Sequence, residues 1–430
     1  MGYTRDRWYR KIRQPDGSFK REPTSLCGKG KRWQSVWRDE DGLEVARAFA
    51  SKEAADRNWR TMETDVDRGD YIDPRAAKTP LRAIAQMWLD TRNVDPSSAI
   101  RYESLWRLHV GPEFGRRSVG SIRPSQIEAF LTRLSREYGQ STAAGAYLVL
   151  QGILGYAVAD GLIKVSPAKA GTVTKPRSDT GPKLVAWSDD QAEAVIAAHP
   201  ADQRLIAVLM AATGLRIGEV LALAVDDFDF EQHVLHVRRQ LKKLGPDHVW
   251  ALPKNDRERQ VPLGTWAEDA TLAYISQYPP RPLALPWESL TGPMQPVKIL
   301  FRWPTDDSFV RYRLYSEQTW KPALTAAGII PPPDRDRGGR RRYSTTRKEG
   351  PHQLRHYYAS VMLADGVSIT ALAHYLGHHD PTVTLRVYGH LQKNTDELAR
   401  SVIDARMNRR RNVAGARLRL VRPDERPPLA

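Results

Sequence analysis

The sequence has a single cysteine and no long apolar run. Cys27 has no second thiol with which to form a disulfide or a thiolate metal site, and no catalytic pattern surrounds it. No stretch approaches the roughly 18 apolar residues of a membrane-spanning helix, and the first ten residues (MGYTRDRWYR) lack the apolar segment of a signal peptide. We therefore predict a protein of the reducing cytoplasm that makes no membrane contact.

Motifs for nucleotide-dependent and metal-dependent chemistry are also missing. The glycines of Gly28–Trp33 (GKGKRW) do not have the spacing of a phosphate-binding loop. The acidic run Asp226–Phe230 (DDFDF) is more typical of a turn before a strand than of paired carboxylates that hold two metal ions. We predict that the protein needs no cofactor and no metal.

Basic side chains are in clear excess. The chain has 66 Lys and Arg residues against 50 Asp and Glu, which gives a formal net charge of +16. Most of them are arginines, whose planar guanidinium fits a phosphate better than an ammonium group does. The excess predicts a nucleic-acid partner, although a GC-rich genome also raises the arginine content. Charge does not distinguish an enzyme from a plain binding protein.

The chain of 430 residues is too long for one core, so we expect several domains. The predicted fold is mainly α-helical with small β-sheets. Residues 1–73 contain alternating strand patterns and one helix, and residues 185–400 mix helices with strands. The predicted order is an α+β domain (1–73), a helical domain (78–170), a linker (171–184), a mixed α/β domain (185–400) and a basic tail (401–430).

Apolar spacing and cap residues predict the individual elements. In the first 170 residues we predict two strands within Arg32–Phe49, then helices at Ser51–Gly69, Leu81–Arg92, Ser97–Val110, Ser125–Tyr138 and Ser141–Asp160. Farther on we predict helices at Ser188–Ala198, Ala201–Thr213, Ile217–Leu223, Ser316–Ala327, Gln353–Ala364 and Ile369–Leu376, and strands at His233–Leu241, His248–Lys254 and Arg259–Leu263. The remaining long segments are a proline-rich insertion, Tyr278–Pro304, and a flexible basic loop, Pro331–Gly350.

Two segments carry candidate functional residues that are weak when taken alone. In AATGLRIGEVLAL (Ala211–Leu223), one helix ends and another begins just after Arg216. Glu219 lies one turn farther along and can hold the guanidinium, although an ordinary surface ion pair has the same pattern. Lys254 lies beside a turn between two predicted strands, where a lysine can reach over a substrate as a proton donor, although lysines in such turns are common.

A third segment, GPHQLRHYYASVMLADG (Gly350–Gly366), begins a helix with basic residues. His352 and Arg355 are three residues apart, so both face an anion at the positive end of the helix. Farther along, His378 follows a helix that stops at a glycine, and Tyr388 lies on a short helix. A buried core histidine would explain each residue separately, but it does not explain the whole series.

In their order, these residues resemble the signature of the tyrosine recombinases, and more narrowly of phage-type integrases: Arg, Lys, His-x-x-Arg, His or Trp, and Tyr. The contexts TGLRIGE, HQLRH and LGHHDPTVTLRVYGH extend the resemblance over about residues 185–395. Insertions at 278–310 and 331–350 are longer than a minimal member needs. His379 adjoins His378, and the Leu-Gly-His pattern favours His378. The resemblance assigns the catalytic positions to Arg216, Lys254, His352, Arg355, His378 and Tyr388, with Glu219 orienting Arg216.

The resemblance implies DNA cleavage and rejoining through a 3′-phosphotyrosine, so that a mobile element is integrated or excised without ATP. By this resemblance, the two arginines bind the phosphate oxygens and Tyr388 attacks the phosphorus. His352 acts as the general base, and Lys254 protonates the 5′-oxygen. His378 forms a hydrogen bond with the phosphate. A type IB topoisomerase uses the same chemistry, and a non-catalytic DNA-binding protein also remains an alternative.

The implied partner is double-stranded DNA at attachment sites, bound by a homotetramer at the nucleoid of a bacterial host. The resemblance implies that residues 1–73 bind arm-type sites and that the helical domain clamps the core site. We predict that an apolar stripe within residues 394–412 docks on a neighbouring subunit, with packing on its own domain as the alternative. An excision factor and a DNA-bending host protein are also predicted as partners, although the sequence identifies neither. The predicted further DNA contacts are Arg7, Lys31, Arg32, Arg38, Arg340, Arg341 and Arg342.

Overall fold

The computed structural model describes residues 2–39, 42–69, 71–73, 75–176, 185–254, 257–303, 305–389, 400–401 and 403–405. The chain divides into two compact units, residues 1–180 and 181–430. The predicted fold class, mainly α-helical with small sheets, is confirmed. The finer predicted boundaries stay predictions. Much of the predicted linker and nearly all of the predicted C-terminal helix and tail lie outside the described residues.

The first unit begins with small antiparallel sheets and one helix. The strand Trp33–Arg38 pairs with both Tyr3–Asp6 and Glu44–Phe49, and Tyr9–Arg13 forms a hairpin with Phe19–Pro23. The two strands predicted within Arg32–Phe49 are therefore present. The helix begins as predicted, because the Ser51 side chain accepts a hydrogen bond from the backbone N–H of Ala54. The elements are β1 (Tyr3–Asp6), β2 (Tyr9–Arg13), β3 (Phe19–Pro23), β4 (Trp33–Arg38), β5 (Glu44–Phe49) and α1 (Lys52–Asp67).

The rest of the first unit is a helical bundle whose helices match the predicted ones to within a few residues. Its elements are α2 (Leu81–Asp90), α3 (Pro96–Leu105), α4 (Gly111–Phe114), α5 (Pro124–Tyr138) and α6 (Gln140–Ala159). A π-helical turn at Trp106–Val110 joins α3 to α4, and single 3₁₀ turns lie at Ala76–Lys78, Val119–Ser121 and Pro167–Lys169.

Helix α6 corrects the expectation that no segment approaches the length and composition of a membrane span. It has 20 residues with a mean hydropathy of 1.4, and it is the one helix in the described residues that passes both criteria. Its buried side chains, including Val149, Leu150 and Ile153, belong to the core of the bundle. A central core helix has the same composition as a membrane span, which accounts for the apolar sequence.

The second unit carries the remaining helices and strands. The helices are α7 (Asp189–Ala197), α8 (Ala201–Thr213), α9 (Ile217–Val220), α10 (Thr265–Gln277), α11 (Tyr312–Tyr315), α12 (Lys321–Ala326), α13 (His352–Ala364), α14 (Ile369–Leu376) and α15 (Pro381–Tyr388). The strands are β6 (Phe228–Asp229), β7 (Val234–Val237), β8 (Gln240–Leu244), β9 (Asp247–Ala251), β10 (Arg259–Pro262), β11 (Arg281–Pro286), β12 (Met294–Ile299), β13 (Asp334–Arg335) and β14 (Arg341–Arg342). A π-helical turn at Ser316–Trp320 joins α11 to α12, and 3₁₀ turns lie at Val225–Asp227 and Arg347–Glu349.

Three predictions for this unit were wrong in detail. The single strand predicted at His233–Leu241 is two strands, because Arg238 and Arg239 leave the ladder and pair with the buried carboxylate of Asp227. The proline-rich insertion contains the β11–β12 hairpin, since its prolines alternate with residues that pack inward. The loop predicted over residues 331–350 contains the short β13–β14 hairpin.

The core of the second unit forms around α8. Almost every residue of α8 from Leu205 to Ala211 is buried, so neighbouring elements pack on all its sides. Helix α13 packs against α8, and α14 packs against both α13 and β10. This arrangement brings the end of α8, the beginning of α13 and the end of α14 together, and those three places carry Arg216, His352 with Arg355, and His378.

Candidate active site

Arg216 lies in the junction between α8 and α9. Helix α8 ends at Gly214, whose φ of 66° lies in the left-handed region, and a Cβ there would meet the Tyr358 ring at 2.4 Å. Arg216 then precedes the first residue of α9. Its Nη1 and its backbone N–H donate to the two carboxylate oxygens of Glu219, each at 2.9 Å. The structure thus places Arg216 and Glu219 as the sequence predicted.

A second arginine, which the sequence analysis missed, also holds Glu219. Arg259 begins β10 and donates to both oxygens of Glu219, at 3.1 and 2.7 Å, while its Nε donates to the backbone oxygen of Tyr375 at 2.8 Å. Burial alone would raise the pKa of Glu219, but Arg259 and then Arg216 lower it to about 2. The sequence signal was ambiguous, because Arg257 lies in the same turn.

Arg355 lies in the interior on the first turn of α13 and is 1% exposed. Its Nη1 donates to the backbone oxygen of Gly214 at 2.7 Å, and its Nη2 donates to that of Leu376 at 2.6 Å. Burial and then the like charge of Arg216 lower the pKa of Arg355 to about 9, so it remains a cation at neutral pH. Its Nε is buried and has no hydrogen-bond partner in the described part of the chain. The guanidinium therefore joins the ends of α8 and α14 and keeps a free donor.

His378 follows α14 and contacts Arg355 directly. Its Nε2 lies 3.1 Å from Arg355 Nη2, and its Nδ1 lies 2.7 Å from the Thr384 hydroxyl. Because a guanidinium only donates, Nε2 accepts, which places the ring proton on Nδ1. Burial, then the charges of Arg355 and Arg216, lower the pKa of His378 to about 4. His379 is exposed, so of the two adjacent histidines His378 is the one at the site.

Tyr388 ends α15 with its ring buried, 2% exposed. Its hydroxyl lies 2.6 Å from Nδ1 of His356, a histidine to which the sequence analysis gave no role. Burial raises the pKa of Tyr388 to about 12, against the opposing charges of Arg355 and Arg216. Burial and then Arg355 lower the pKa of His356 to about 4. His352 has an exposed edge, and its ring meets that of His356 edge-on at 4.7 Å.

Lys254 lies at the edge of this group of residues. It is exposed in the connection between β9 and β10, three residues after Ala251. Its positive charge is among those that lower the pKa of His378, so the two side chains are near enough to interact electrostatically. The structure therefore brings together Arg216, Glu219, Arg355, His378 and Tyr388. Lys254 lies beside them, in the exposed connection between β9 and β10.

The centre of the site has an excess of positive charge. Three guanidinium groups, those of Arg216, Arg259 and Arg355, influence the single carboxylate of Glu219. A cluster of this kind favours a bound anion, which would balance the charge and accept from the remaining donors. A cavity of about 730 Å³ opens next to the cluster. Residues that line it include Arg216, Tyr312, Lys321, Thr346 and His352.

Two sequence models from one family match the chain. The model of the phage integrase family matches residues 183–281 and 337–395, and the model of the phage integrase central domain matches residues 81–172. The chain belongs to the phage integrase family. All six predicted catalytic residues lie within the matched ranges of this family, whereas residues 282–336 lie between them and are unmatched.

Relatives and solved structures agree with this assignment. A putative prophage phiRv2 integrase from Mycobacterium tuberculosis (strain CDC 1551 / Oshkosh) is 25% identical over 242 residues, which are 52% of this chain and 61% of that protein. The chain therefore matches less than two thirds of that relative's length. The fold resembles that of the Tn1549 transposon integrase in complex with a circular intermediate DNA (TM-score 0.60, 20% identity, 76% of this chain and 99% of that one). It also resembles a lambda integrase tetramer bound to a Holliday junction (TM-score 0.51, 16% identity, 81% and 94%).

The other residues predicted to contact DNA differ in whether their side chains already have partners within the protein. Arg32 donates to both carboxylate oxygens of Asp6, with a shortest distance of 2.8 Å, so its guanidinium is already engaged within the protein. Arg7 donates to the backbone oxygen of Lys31 at 3.0 Å. The side chains of Lys31 and Arg38 are exposed. Arg340, Arg341 and Arg342 are all exposed along the β13–β14 hairpin.

Proposed function

We propose that the protein is a site-specific DNA recombinase that cleaves and rejoins DNA through a 3′-phosphotyrosine, and so integrates or excises a mobile element. The observation that carries this proposal is that one chain supplies Tyr388 and the two arginines of a phosphate site. The charges of Arg216 and Arg355 both act on the Tyr388 phenol. A buried nucleophile in that field is typical of a phosphoryl-transfer site and not of a simple binding surface.

In the proposed reaction, a DNA phosphate enters between the guanidinium groups. Arg216 and Arg355 bind its non-bridging oxygens and stabilise the charge that grows in the pentacoordinate transition state. The oxygen of Tyr388 bonds to phosphorus while the bond from phosphorus to the 5′-oxygen breaks. The leaving 5′-oxygen takes its electron pair and a proton from Lys254. The resulting ester keeps the energy of the broken bond, so a 5′-hydroxyl can rejoin without ATP.

The phenol proton needs an acceptor, because a tyrosine with a pKa of about 12 is not ionised at neutral pH. The sequence assigned this role to His352. The contact of 2.6 Å to Tyr388 supports His356 as the first acceptor, with His352 beside it at the exposed edge. A bound phosphate adds negative charge and would therefore raise the pKa of both histidines. Their pKa values would then lie closer to that of the phenol, which makes proton transfer easier. His378 orients Arg355 and, to donate a hydrogen bond to the phosphate, takes a proton on Nε2, the nitrogen that accepts from Arg355 in this structure.

We further propose that the protein acts inside the cell on double-stranded DNA as a tetramer. Recombination between two duplexes cleaves both strands of each duplex. Each of the four cleavages needs an active site, so four active sites are required. The structures that this fold resembles include an integrase bound to DNA and an integrase tetramer on a Holliday junction, which supports the proposal. An excision factor and a DNA-bending protein stay predictions without support from the described residues.

The test is a nicked DNA substrate that traps the covalent intermediate, because cleavage releases a short fragment that cannot rejoin. Wild-type protein should form a covalent adduct that is stable in denaturing gels. Tyr388→Phe should bind the DNA and form none. Tyr375→Phe is a matched control, because it removes a nearby phenol but keeps the backbone oxygen that Arg259 contacts. Adduct formation by Tyr388→Phe would sink the proposal, and plasmid relaxation without recombination would indicate a topoisomerase instead.

A further inference from the structure

The unmatched segment 282–336 contains nearly all of a hairpin, and this hairpin packs against the strand that leads to Lys254. The hairpin is β11–β12, with Arg281 opposite Ile299 and Pro286 opposite Met294. The strand is β9, which ends at Ala251. This hairpin is therefore an addition to the part of the chain that matches the family, and it lies next to a predicted catalytic element.

Backbone and side-chain hydrogen bonds join the two elements. Trp250 on β9 forms an isolated parallel bridge with Trp287, just beyond β11. The backbone N–H of Glu288 donates to the Trp250 oxygen at 2.6 Å, and Nε1 of Trp250 donates to the Gln295 oxygen at 3.1 Å. The end of β9 is thus bound from two sides by the hairpin.

An apolar cluster closes the same contact. Trp250 is 0% exposed, and it shares this cluster with Ala222 and Ile299. Ile299 belongs to the hairpin, so the burial of Trp250 depends on the added segment. The hairpin also supplies Leu283, Leu285, Trp287 and Val297, and Leu241 and Phe309 from outside it complete the cover. The hairpin therefore supplies most of the side chains that share this cluster with Trp250.

The turn of the hairpin is held in one conformation. Glu288 has a φ of 61°, which lies in the left-handed region and is unfavourable for a residue with a Cβ. The backbone N–H of Trp287 donates to the Pro293 oxygen at 3.0 Å. A Cβ on Gly292 would lie 1.9 Å from the Trp287 oxygen, so only glycine fits there. Such a turn persists only where its surroundings fix it, which indicates a rigid support.

The fixed structure extends almost to Lys254. The side-chain amide of Gln240 on β8 donates to the backbone oxygen of Leu252 at 2.6 Å. Two residues later comes Lys254, whose side chain is exposed. The hairpin therefore restrains the backbone that leads to Lys254 and leaves the lysine side chain free to reach a phosphate.

We propose that the β11–β12 hairpin positions Lys254 by clamping β9 through Trp250 and Trp287. This inference rests on the proposed function, in which Lys254 Nζ gives a proton to the 5′-oxygen as the phosphorus–oxygen bond breaks. Trp287 is then a positioning residue for proton transfer. Its loss should slow the departure of the 5′-oxygen and leave the arginines and Tyr388 unaffected.

The test compares two DNA substrates in full-length protein. In one, the scissile 5′-oxygen is replaced by sulfur, which leaves as a thiolate and needs no proton donor. General acid catalysis contributes about 100- to 10,000-fold, so Trp287→Ala, which only mispositions the acid, should cleave the oxygen substrate about 10- to 100-fold more slowly than wild type. On the sulfur substrate it should match wild type within about 2-fold. Trp287→Phe, which keeps an aromatic ring in the cluster, should restore most of the rate on the oxygen substrate.

Leu290→Ala is the matched control, since Leu290 is exposed in the same hairpin. It should leave both rates unchanged. An equal loss on both substrates in Trp287→Ala, or no loss on either, overturns the inference. Lys254→Ala tests the proposed function separately. If sulfur does not restore cleavage in that variant, the role given to Lys254 fails, whatever Trp287 does.

Discussion

Nδ1 of His356 lies 2.6 Å from the hydroxyl oxygen of Tyr388, so the proposed nucleophile, which is buried, pairs with a partly buried neutral imidazole. Burial and then Arg355 lower the pKa of His356 to about 4, and a neutral ring can accept the phenol proton. The pair lies within one chain. The contact that orients the tyrosine therefore needs no residue from another subunit.

We expect His356→Phe to lower the rate of DNA cleavage by about 100-fold, which is within the range for losing a general base. The aromatic ring fills the site but accepts no hydrogen bond. Single-turnover cleavage of a nicked substrate measures the rate, and a gel-shift titration should show unchanged DNA affinity. His379→Gln, at an exposed histidine, should cleave normally. Normal cleavage by His356→Phe would show that the contact with Tyr388 has no part in proton transfer.

The pair of Arg259 with Glu219 should matter far more for stability than a surface pair of the same length. The distance is 2.7 Å both in this pair and between Arg281 and Asp307. The side chains of the first pair are 4% and 0% exposed, and those of the second are 62% and 50% exposed. Arg259→Ala leaves a carboxylate buried without its bidentate partner, so it should lower the free energy of unfolding by about 3–5 kcal/mol.

Arg281→Ala is the matched comparison. An exposed ion pair contributes roughly 0–1 kcal/mol, so this variant should unfold almost as wild type does. Urea denaturation followed by tryptophan fluorescence measures both changes. Equal destabilisation by the two variants would mean that burial of Glu219 does not set the energy of its contacts.

The predicted site residues that lie together in the structure share one property, a position fixed by local chain chemistry. Arg216 follows a glycine that ends a helix, and His352 and Arg355 begin another. Spacing along the chain therefore predicts their places. The fold class follows in the same way from the 3.6-residue apolar spacing, which predicted the helices of the bundle to within a few residues.

The residues that were missed are defined by contacts between distant parts of the chain. Arg259 contacts Glu219, 40 residues away, and Tyr375, 116 residues away. His356 meets a tyrosine 32 residues later. No spacing rule reveals such pairs. The sequence does not predict the two strands of the proline-rich insertion, for a related reason. They are stabilised by packing on Trp250 and not by their own propensity.

Acid should destabilise the second unit through His199. This ring is 1% exposed, its Nδ1–H donates to the Val195 oxygen at 2.6 Å, and its Nε2 accepts from the Tyr315 hydroxyl at 2.9 Å. Burial lowers the pKa of His199 from 6.5 to about 4. The unfolded chain therefore binds a proton first as the pH falls, so stability is complete above pH 6.5 and declines towards pH 4.

The loss attributed to this ring is about 3 kcal/mol at pH 4, from the size of its pKa shift. His199→Leu should be less stable than wild type at pH 7.5, because it leaves the Tyr315 hydroxyl without a partner. Its unfolding free energy should also fall less steeply between pH 6.5 and 4. The exposed His379→Gln should keep the wild-type slope. A slope in His199→Leu as steep as that of wild type would assign the acid sensitivity to other groups.

The exposed arginines of the β13–β14 hairpin should contribute to DNA affinity through phosphate contacts. Arg340, Arg341 and Arg342 belong to the second unit and are exposed. Each phosphate contact releases counterions, so binding weakens as salt rises, with a slope of about 0.9 per contact. Changing all three to Gln should lower the slope of log affinity against log salt by up to about 3 on core-site DNA. Fluorescence anisotropy at several salt concentrations measures this slope.

A second triple variant removes the same charge from the first unit. Lys11, Lys20 and Arg21 are exposed on the β2–β3 hairpin, in the part of the chain predicted to bind arm-type sites. Changing them to Gln should leave the slope on core-site DNA unchanged and lower it on DNA that also carries arm sites. If both triple variants flatten the core-site slope equally, net charge alone accounts for the effect. The β13–β14 hairpin would then make no specific phosphate contact.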